Sequence, residues 1–172
     1  RIFFYDCPPL KKKMHHPITH ECIDFAKSDR AKWRLAFHDA LKEKRKVALR
    51  LGTMDDTNCA WTIRTEKTKL LYTHKITIDD LVPDDYVLVT HQKGVDMRIG
   101  IDSASVSYKK QASKIVLISG DSDFVPAAKL ARREGIDFTL DPMHATIKDD
   151  LHEHIDGKRT VFPNPKKKND GK

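Results

Sequence analysis

Apolar and polar positions follow two rhythms along the chain, and the clearest passage lies between residues 114 and 140. Ile115-Val116-Leu117-Ile118 is a continuous apolar run. It is too short to carry a helical face of its own and reads as a strand buried on both sides. A polar turn follows, Ser119-Gly120-Asp121-Ser122-Asp123. Phe124, Val125, Ala127, Ala128 and Ala131 then recur at helical spacing, and Gly135 supplies the stop. Ile136 to Leu140 is a second apolar strand. The pattern predicts a strand–helix–strand unit with two carboxylates where its first strand ends.

Elsewhere the rhythm is less regular. Ile2 to Asp6 reads as a buried strand ended by Cys7-Pro8-Pro9. Lys11 to Pro17 reads as a basic loop. Thr19 to Lys46 reads as helical and broken near Ser28-Asp29, with Trp33, Phe37 and Leu41 among its apolar positions. Val47 to Leu51 is a strand stopped by Gly52. Asp55 to Asn58 is a turn, and Trp61 to Thr65 alternates like an edge strand. The stretch from Glu66 to Asp85 has no periodicity beyond a short strand at Lys75 to Ile78. Tyr86 to Val89 is a further short strand. Gly94 opens a helix to about Tyr108, Ile147 to Ile155 is a last helix, and Gly157 onward is tail. Strands alternating with helices predict an α/β fold on a mostly parallel sheet.

Composition narrows the setting. At 172 residues the chain has the length of one domain with a real core. Its mean hydropathy is −0.58, and no run approaches the roughly 18 apolar residues that cross a bilayer. The opening residues read as a strand and not as a signal peptide. The chain starts in mid-strand with Arg1, as a fragment or a processed chain would. Three cysteines, Cys7, Cys22 and Cys59, have no paired spacing; a reducing, cytoplasmic compartment fits them. A net charge of +7 favours a polyanionic partner such as nucleic acid, although Lys166 to Lys168 belong to a solvated tail.

Three carboxylates stand out by position. Asp121 and Asp123 flank the strand-to-helix turn, and open parallel sheets bind ligands beyond the carboxyl ends of their strands. Asp96 stands in the first turn of the preceding helix. Carboxylates gathered at one sheet edge repel unless a cation joins them, and hard oxygen ligands suit Mg²⁺ or Mn²⁺. Taken singly, each is equally an N-cap or a dipole partner. Lys93, just before that helix, is placed to neutralise a phosphate or is simply solvated. Nine histidines offer no zinc pattern: His15, His16 and His20 share a basic, proline-containing loop, and His152 and His154 do not share a helix face. No G-x-S-x-G elbow is present, and no cysteine has an evident base.

His91-Gln92-Lys93-Gly94-Val95-Asp96-Met97-Arg98 and Leu117 to Pro126 together resemble the NYN domain, a branch of the PIN-like nucleases. Arg1 to Pro9, Lys129 to Gly135 and Asp141-Pro142-Met143 resemble its bacterial members, so the likeness spans residues 1–162 and leaves 163–172 as a basic flexible tail. The resemblance implies a Rossmann-like three-layer fold and metal-dependent cleavage of RNA by clustered aspartates. Asp96, Asp121 and Asp123 match the family's acidic positions, as catalytic residues and Mg²⁺ or Mn²⁺ ligands. Ser119 and Ser122 match its small polar positions and, with Lys93, are the residues expected to meet RNA. The family pattern usually opens with an apolar strand ending in Asp, followed by Asn. That strand has no counterpart here, since Arg1 to Asp6 matches the family's second strand. A second copy of the chain or a preceding segment is then expected to complete the sheet, and Asp6 becomes a second-tier site residue.

The expected function is a metal-dependent ribonuclease acting in the cytoplasm, with RNA and no membrane as partner. A non-catalytic RNA-binding or regulatory module of the same fold is the alternative. A haloacid-dehalogenase-like phosphatase is a remote one: Asp121 to Val125 resembles that family's D-x-D-x-V motif, but no second such motif stands at an earlier strand end.

Overall fold

A computed structural model describes residues 1–164. The packing divides the chain into two compact units, one from Arg1 to Val95 and the other beginning at Asp96.

The first unit opens with β1 (Ile2–Asp6). A short hairpin follows, β2 (Lys13–His15) against β3 (Cys22–Asp24). The basic loop expected over Lys11 to Pro17 thus contains a strand. The helix expected from Thr19 is corrected too: α1 covers Asp29–Lys42. Ser28 caps it by accepting from the Ala31 N–H at 3.2 Å, so the predicted break is where the helix begins. Before Ser28 the chain has no apolar stripe long enough to sustain a helix, and Cys22 to Asp24 gains more from pairing. β4 (Val47–Leu51) runs parallel to β1 in register from Ile2↔Val47 to Asp6↔Leu51. Gly52 seals that end. Its N–H donates to the Asp6 carbonyl at 2.9 Å, and a Cβ there would come within 2.6 Å of the Lys93 carbonyl oxygen.

β5 (Thr53–Ile63) pairs antiparallel with β6 (Tyr86–Lys93). The turn read at Asp55 to Asn58 is a register shift inside this long strand, between Asp55 and Ala60. The Asp55 carboxylate folds the shift over itself, accepting from the N–H groups of Thr57 and Asn58 at 3.0 and 3.1 Å. Between the two strands lie α2 (Thr65–Tyr72) and two short 3₁₀ turns, Ile78–Asp80 and Pro83–Asp85. No strand forms at Lys75 to Ile78.

In the second unit α3 covers Val95–Tyr108. β7 (Lys114–Ile118), a 3₁₀ turn at Ser122–Phe124, α4 (Val125–Arg133) and β8 (Asp137–Asp141) realise the predicted strand–helix–strand unit. β7 and β8 are parallel, Lys114↔Asp137 through Ile118↔Asp141. α4 ends as its sequence dictates. Gly135, at φ +78°, lets its own N–H reach the Arg132 carbonyl while Ile136 N–H reaches Ala131, the pattern of a left-handed helix stop. Ala128, Ala131, Ile136 and Phe138 form one core cluster. Val125, Leu140 and Leu151 form another. α5 (Asp149–Glu153) is shorter than the helix expected over Ile147 to Ile155. β9 (Gly157–Lys158) extends the sheet beside β8 in a stretch read as tail. The basic tail itself lies outside the described residues from position 165 on.

The prediction of a strand buried on both sides at Ile115 to Ile118 does not hold. Ile115 and Leu117 pack against the clusters under α4 and α5, but Val116 and Ile118 are 56% and 58% exposed. β7 is an edge of its three-stranded sheet, with order β7-β8-β9. The fold is α/β, but its strands form four small sheets among the described residues rather than one continuous layer. The strands of β1–β4 and of β7–β8–β9 are parallel; β2–β3 and β5–β6 are antiparallel. β2 and β3 are joined by a short connection that needs no crossover, whereas α2 and the two 3₁₀ turns lie between β5 and β6.

Candidate functional site

Asp121 and Asp123 stand just beyond the carboxyl end of β7, where the chain must leave the strand and enter α4. The local sequence makes that passage from its own side chains. Ser119 Oγ accepts from the Asp121 N–H at 3.2 Å. Asp121 Oδ1 in turn accepts from the Asp123 N–H at 3.0 Å, capping the 3₁₀ turn Ser122–Phe124. Phe124 and Val125 plug the turn into the core, 4% and 6% exposed, so the carboxylates above them are held by a buried base.

Both carboxylates remain exposed. Among the described residues, Asp123 and the second oxygen of Asp121 have no cationic or hydrogen-bonding partner. Ser122 sits half-buried between them. Asp96 is an exposed residue in the first turn of α3, likewise without a partner among the described residues. The structure thus brings Asp121, Asp123, Ser119 and Ser122 into one turn and leaves Asp96 on a separate element. Among the described residues, no three His, Cys, Asp or Glu side chains group in a way that could hold a metal ion.

The donor set of the turn still suits a hard cation of one kind. Mg²⁺ is commonly bound by one or two carboxylates together with waters and substrate phosphates, rather than in an all-protein cage. Two exposed carboxylates on one rigid turn match that mode and fall short of a resident site.

The other sequence-derived candidates are engaged elsewhere. Lys93 forms an ion pair with the buried Asp55. That pair, with the Asn58 side chain and backbone, holds the Asp55 carboxyl well below the usual carboxylate range. Asp6, at the carboxyl end of β1, receives the ring of the buried His38 at 2.8 Å and the Arg34 guanidinium at 3.5 Å. Next to it Cys7 is fully buried, and burial and the Asp6 charge push its thiol up. Asp141, at the end of β8, is buried and accepts from the N–H groups of Met143 and Val161. It closes a turn.

Against known proteins, the family model described as NYN domain matches residues 36–154. The chain belongs to the NYN domain family. NYN domains are PIN-like α/β domains of the nuclease and RNA-processing kind, which accords with the alternating strands and helices seen here. The match includes β7, the acidic turn and α4, and it includes Asp96. No curated protein matches the chain. A solved structure of a protein of unknown function from Vibrio parahaemolyticus is 12% identical, with 77% of each chain covered and a TM-score of 0.36, too distant a likeness to bear on this NYN domain's site. No helix among the described residues is long and apolar enough to cross a membrane.

Proposed function

We propose that this NYN domain is a divalent-metal-dependent ribonuclease whose acidic turn, Asp121-Ser122-Asp123, is the centre of the reaction. One observation carries the reading: two carboxylates with no cationic partner among the described residues stand on a capped, core-anchored turn at the carboxyl end of a parallel strand. Carboxylates left exposed and unpaired on rigid backbone are poised for an external cation.

Asp121 and Asp123 would hold Mg²⁺ or Mn²⁺, with Asp96 as a further acidic group of the same unit. A divalent ion bound there supplies charge neutralisation at phosphoryl oxygens and acidifies bound water. The chain's own residues do the positioning. Ser119 fixes the Asp121 backbone, and Asp121 fixes that of Asp123. Both acids then keep one geometry without a conformational search when substrate arrives. Ser122 offers a hydroxyl within the turn for a phosphate oxygen. The Rossmann-like three-layer arrangement and a cytoplasmic setting belong to this reading.

The test is RNA cleavage by the full chain with Mg²⁺ or Mn²⁺, compared with Asp121→Asn. The variant should lose cleavage and keep its fold. Equal rates would remove Asp121 from the mechanism. A second reading, an RNA-binding module without turnover, draws on the lack of a third grouped ligand among the described residues. Salt-sensitive RNA binding with no product across divalent metals would favour it.

A further inference from the structure

The first unit contains a groove that the acidic turn does not use. Its cavity is about 310 Å³, at the small end of ligand pockets. One wall is a face of β6. Alternation along the strand puts Leu88, Thr90 and Gln92 on the same side, and Met54 of β5 stands opposite Gln92 in register. The other wall is the start of α1, contributing Arg30, Ala31 and Arg34. Leu10 and Phe25 complete an apolar floor.

The polar groups on these walls are unevenly committed. Arg34 is engaged with Asp6 and the Cys7 carbonyl. Arg30, Thr90 and Gln92 have no side-chain partner among the described residues. Thr90 falls where the β5–β6 register shifts between Asp55 and Ala60, so it has no direct cross-strand neighbour. A guanidinium, a hydroxyl and a carboxamide therefore converge unpaired on an apolar recess.

We propose that this groove binds one nucleotide of a single-stranded RNA. The chemistry matches part by part. A nucleobase presents an apolar face for Leu88, Met54 and Phe25 and a hydrogen-bonding edge for Gln92 and Thr90. Its phosphodiester presents the anion for Arg30. A phosphate alone would leave the apolar floor unused. A duplex would present no base face, because its bases are stacked on one another. The proposal rests on the RNA reading above and extends it to a second, non-catalytic contact in the first unit.

The experiment is fluorescence anisotropy of the full chain with a short labelled single-stranded RNA, in EDTA so that no cleavage intervenes. Arg30→Ala should weaken binding about tenfold or more, the worth of a charge-assisted hydrogen bond, and lower the salt slope by about one. Gln92→Ala should weaken binding by about threefold and change base preference. Arg30→Lys should restore part of the affinity. Arg30 and Gln92 are exposed, so their replacement leaves the fold intact. If the unaltered chain binds RNA and both alanine variants match it, the groove is overturned and the ribonuclease reading stands. If the unaltered chain shows no salt-sensitive RNA affinity in EDTA, the groove is likewise overturned, while cleavage with Mg²⁺ or Mn²⁺ decides the ribonuclease reading on its own.

Discussion

Of the parallel strand ends that carry carboxylates, one in each unit invites comparison, because their fates are opposite. In the first unit, Asp6 closes β1 beside β4 and is taken up by His38 and Arg34. In the second, Asp121 and Asp123 follow β7 beside β8; among the described residues Asp121 is met only by the backbone N–H of Asp123, and the Asp123 carboxylate by nothing. The positions look equivalent in sequence, since each is an apolar strand ending in acid. The difference is what the neighbouring helix supplies. α1 presents a histidine and an arginine one helical turn apart, His38 and Arg34, which neutralise Asp6. α4 follows Phe124 and begins with Val125 and Pro126, which offer no cation at that end. A strand-end acid becomes a reactive candidate when the following helix leaves it unpaired.

That contrast can be pressed in several ways. The largest stability effect should come from the core under α4 in the second unit. Phe138 is fully buried, and Phe138→Ala should cost about 3–5 kcal/mol. Phe4, half-buried on β1 against Phe37 at 5.5 Å, should cost less on the same change; chemical denaturation of the two variants compares them. Next, His38→Ala should cost about 2 kcal/mol, because it strips a hydrogen bond from a largely buried carboxylate, whereas replacing a residue next to the free acids, such as Pro126→Ala, should leave stability nearly unchanged.

A smaller effect concerns acid. Asp55 has a depressed carboxyl, set first by Lys93 and then by Asn58. Its stabilisation is fully present above the unfolded carboxylate value of about 3.9 and is lost as pH falls toward its folded value. Asp55→Asn should flatten the low-pH limb of a stability-against-pH curve; an unchanged limb would show that other carboxylates set it. The mildest test is labelling. Cys22 is exposed, while Cys7 is buried with its thiol pushed up. Thiol reagents should modify Cys22 first and Cys7 only on unfolding.

The same comparison shows what sequence patterning can carry. β1, β4 and the β7–α4–β8 unit were legible because each is a short apolar run or a helical stripe bounded by Gly, Pro or a cap. The acids of the second unit were legible from D-x-D at a strand end. The engagement of Asp6 was not, since His38 is 32 positions away and only tertiary packing joins them. Asp55 to Asn58 read as a turn because the register shift uses turn chemistry inside a strand. α2 was missed because Leu70 and Leu71 are adjacent and set no helical period. Burial of Val116 and Ile118 was overestimated because an apolar run does not reveal which edge of the sheet it occupies. Arg30, Thr90 and Gln92 belong to three separate patterns, and nothing short of the fold brings them to one groove.

The central claim is that the free acids, not the paired one, carry the reaction. The most direct measurement is metal-dependent cleavage of single-stranded RNA by Asp121→Asn and Asp6→Asn beside the unaltered chain, each rate taken per folded molecule. The account predicts that Asp121→Asn loses about a hundredfold or more, as expected when a metal-binding carboxylate is removed, while Asp6→Asn cleaves at the unaltered rate. Full activity in Asp121→Asn, or loss confined to Asp6→Asn, would contradict it.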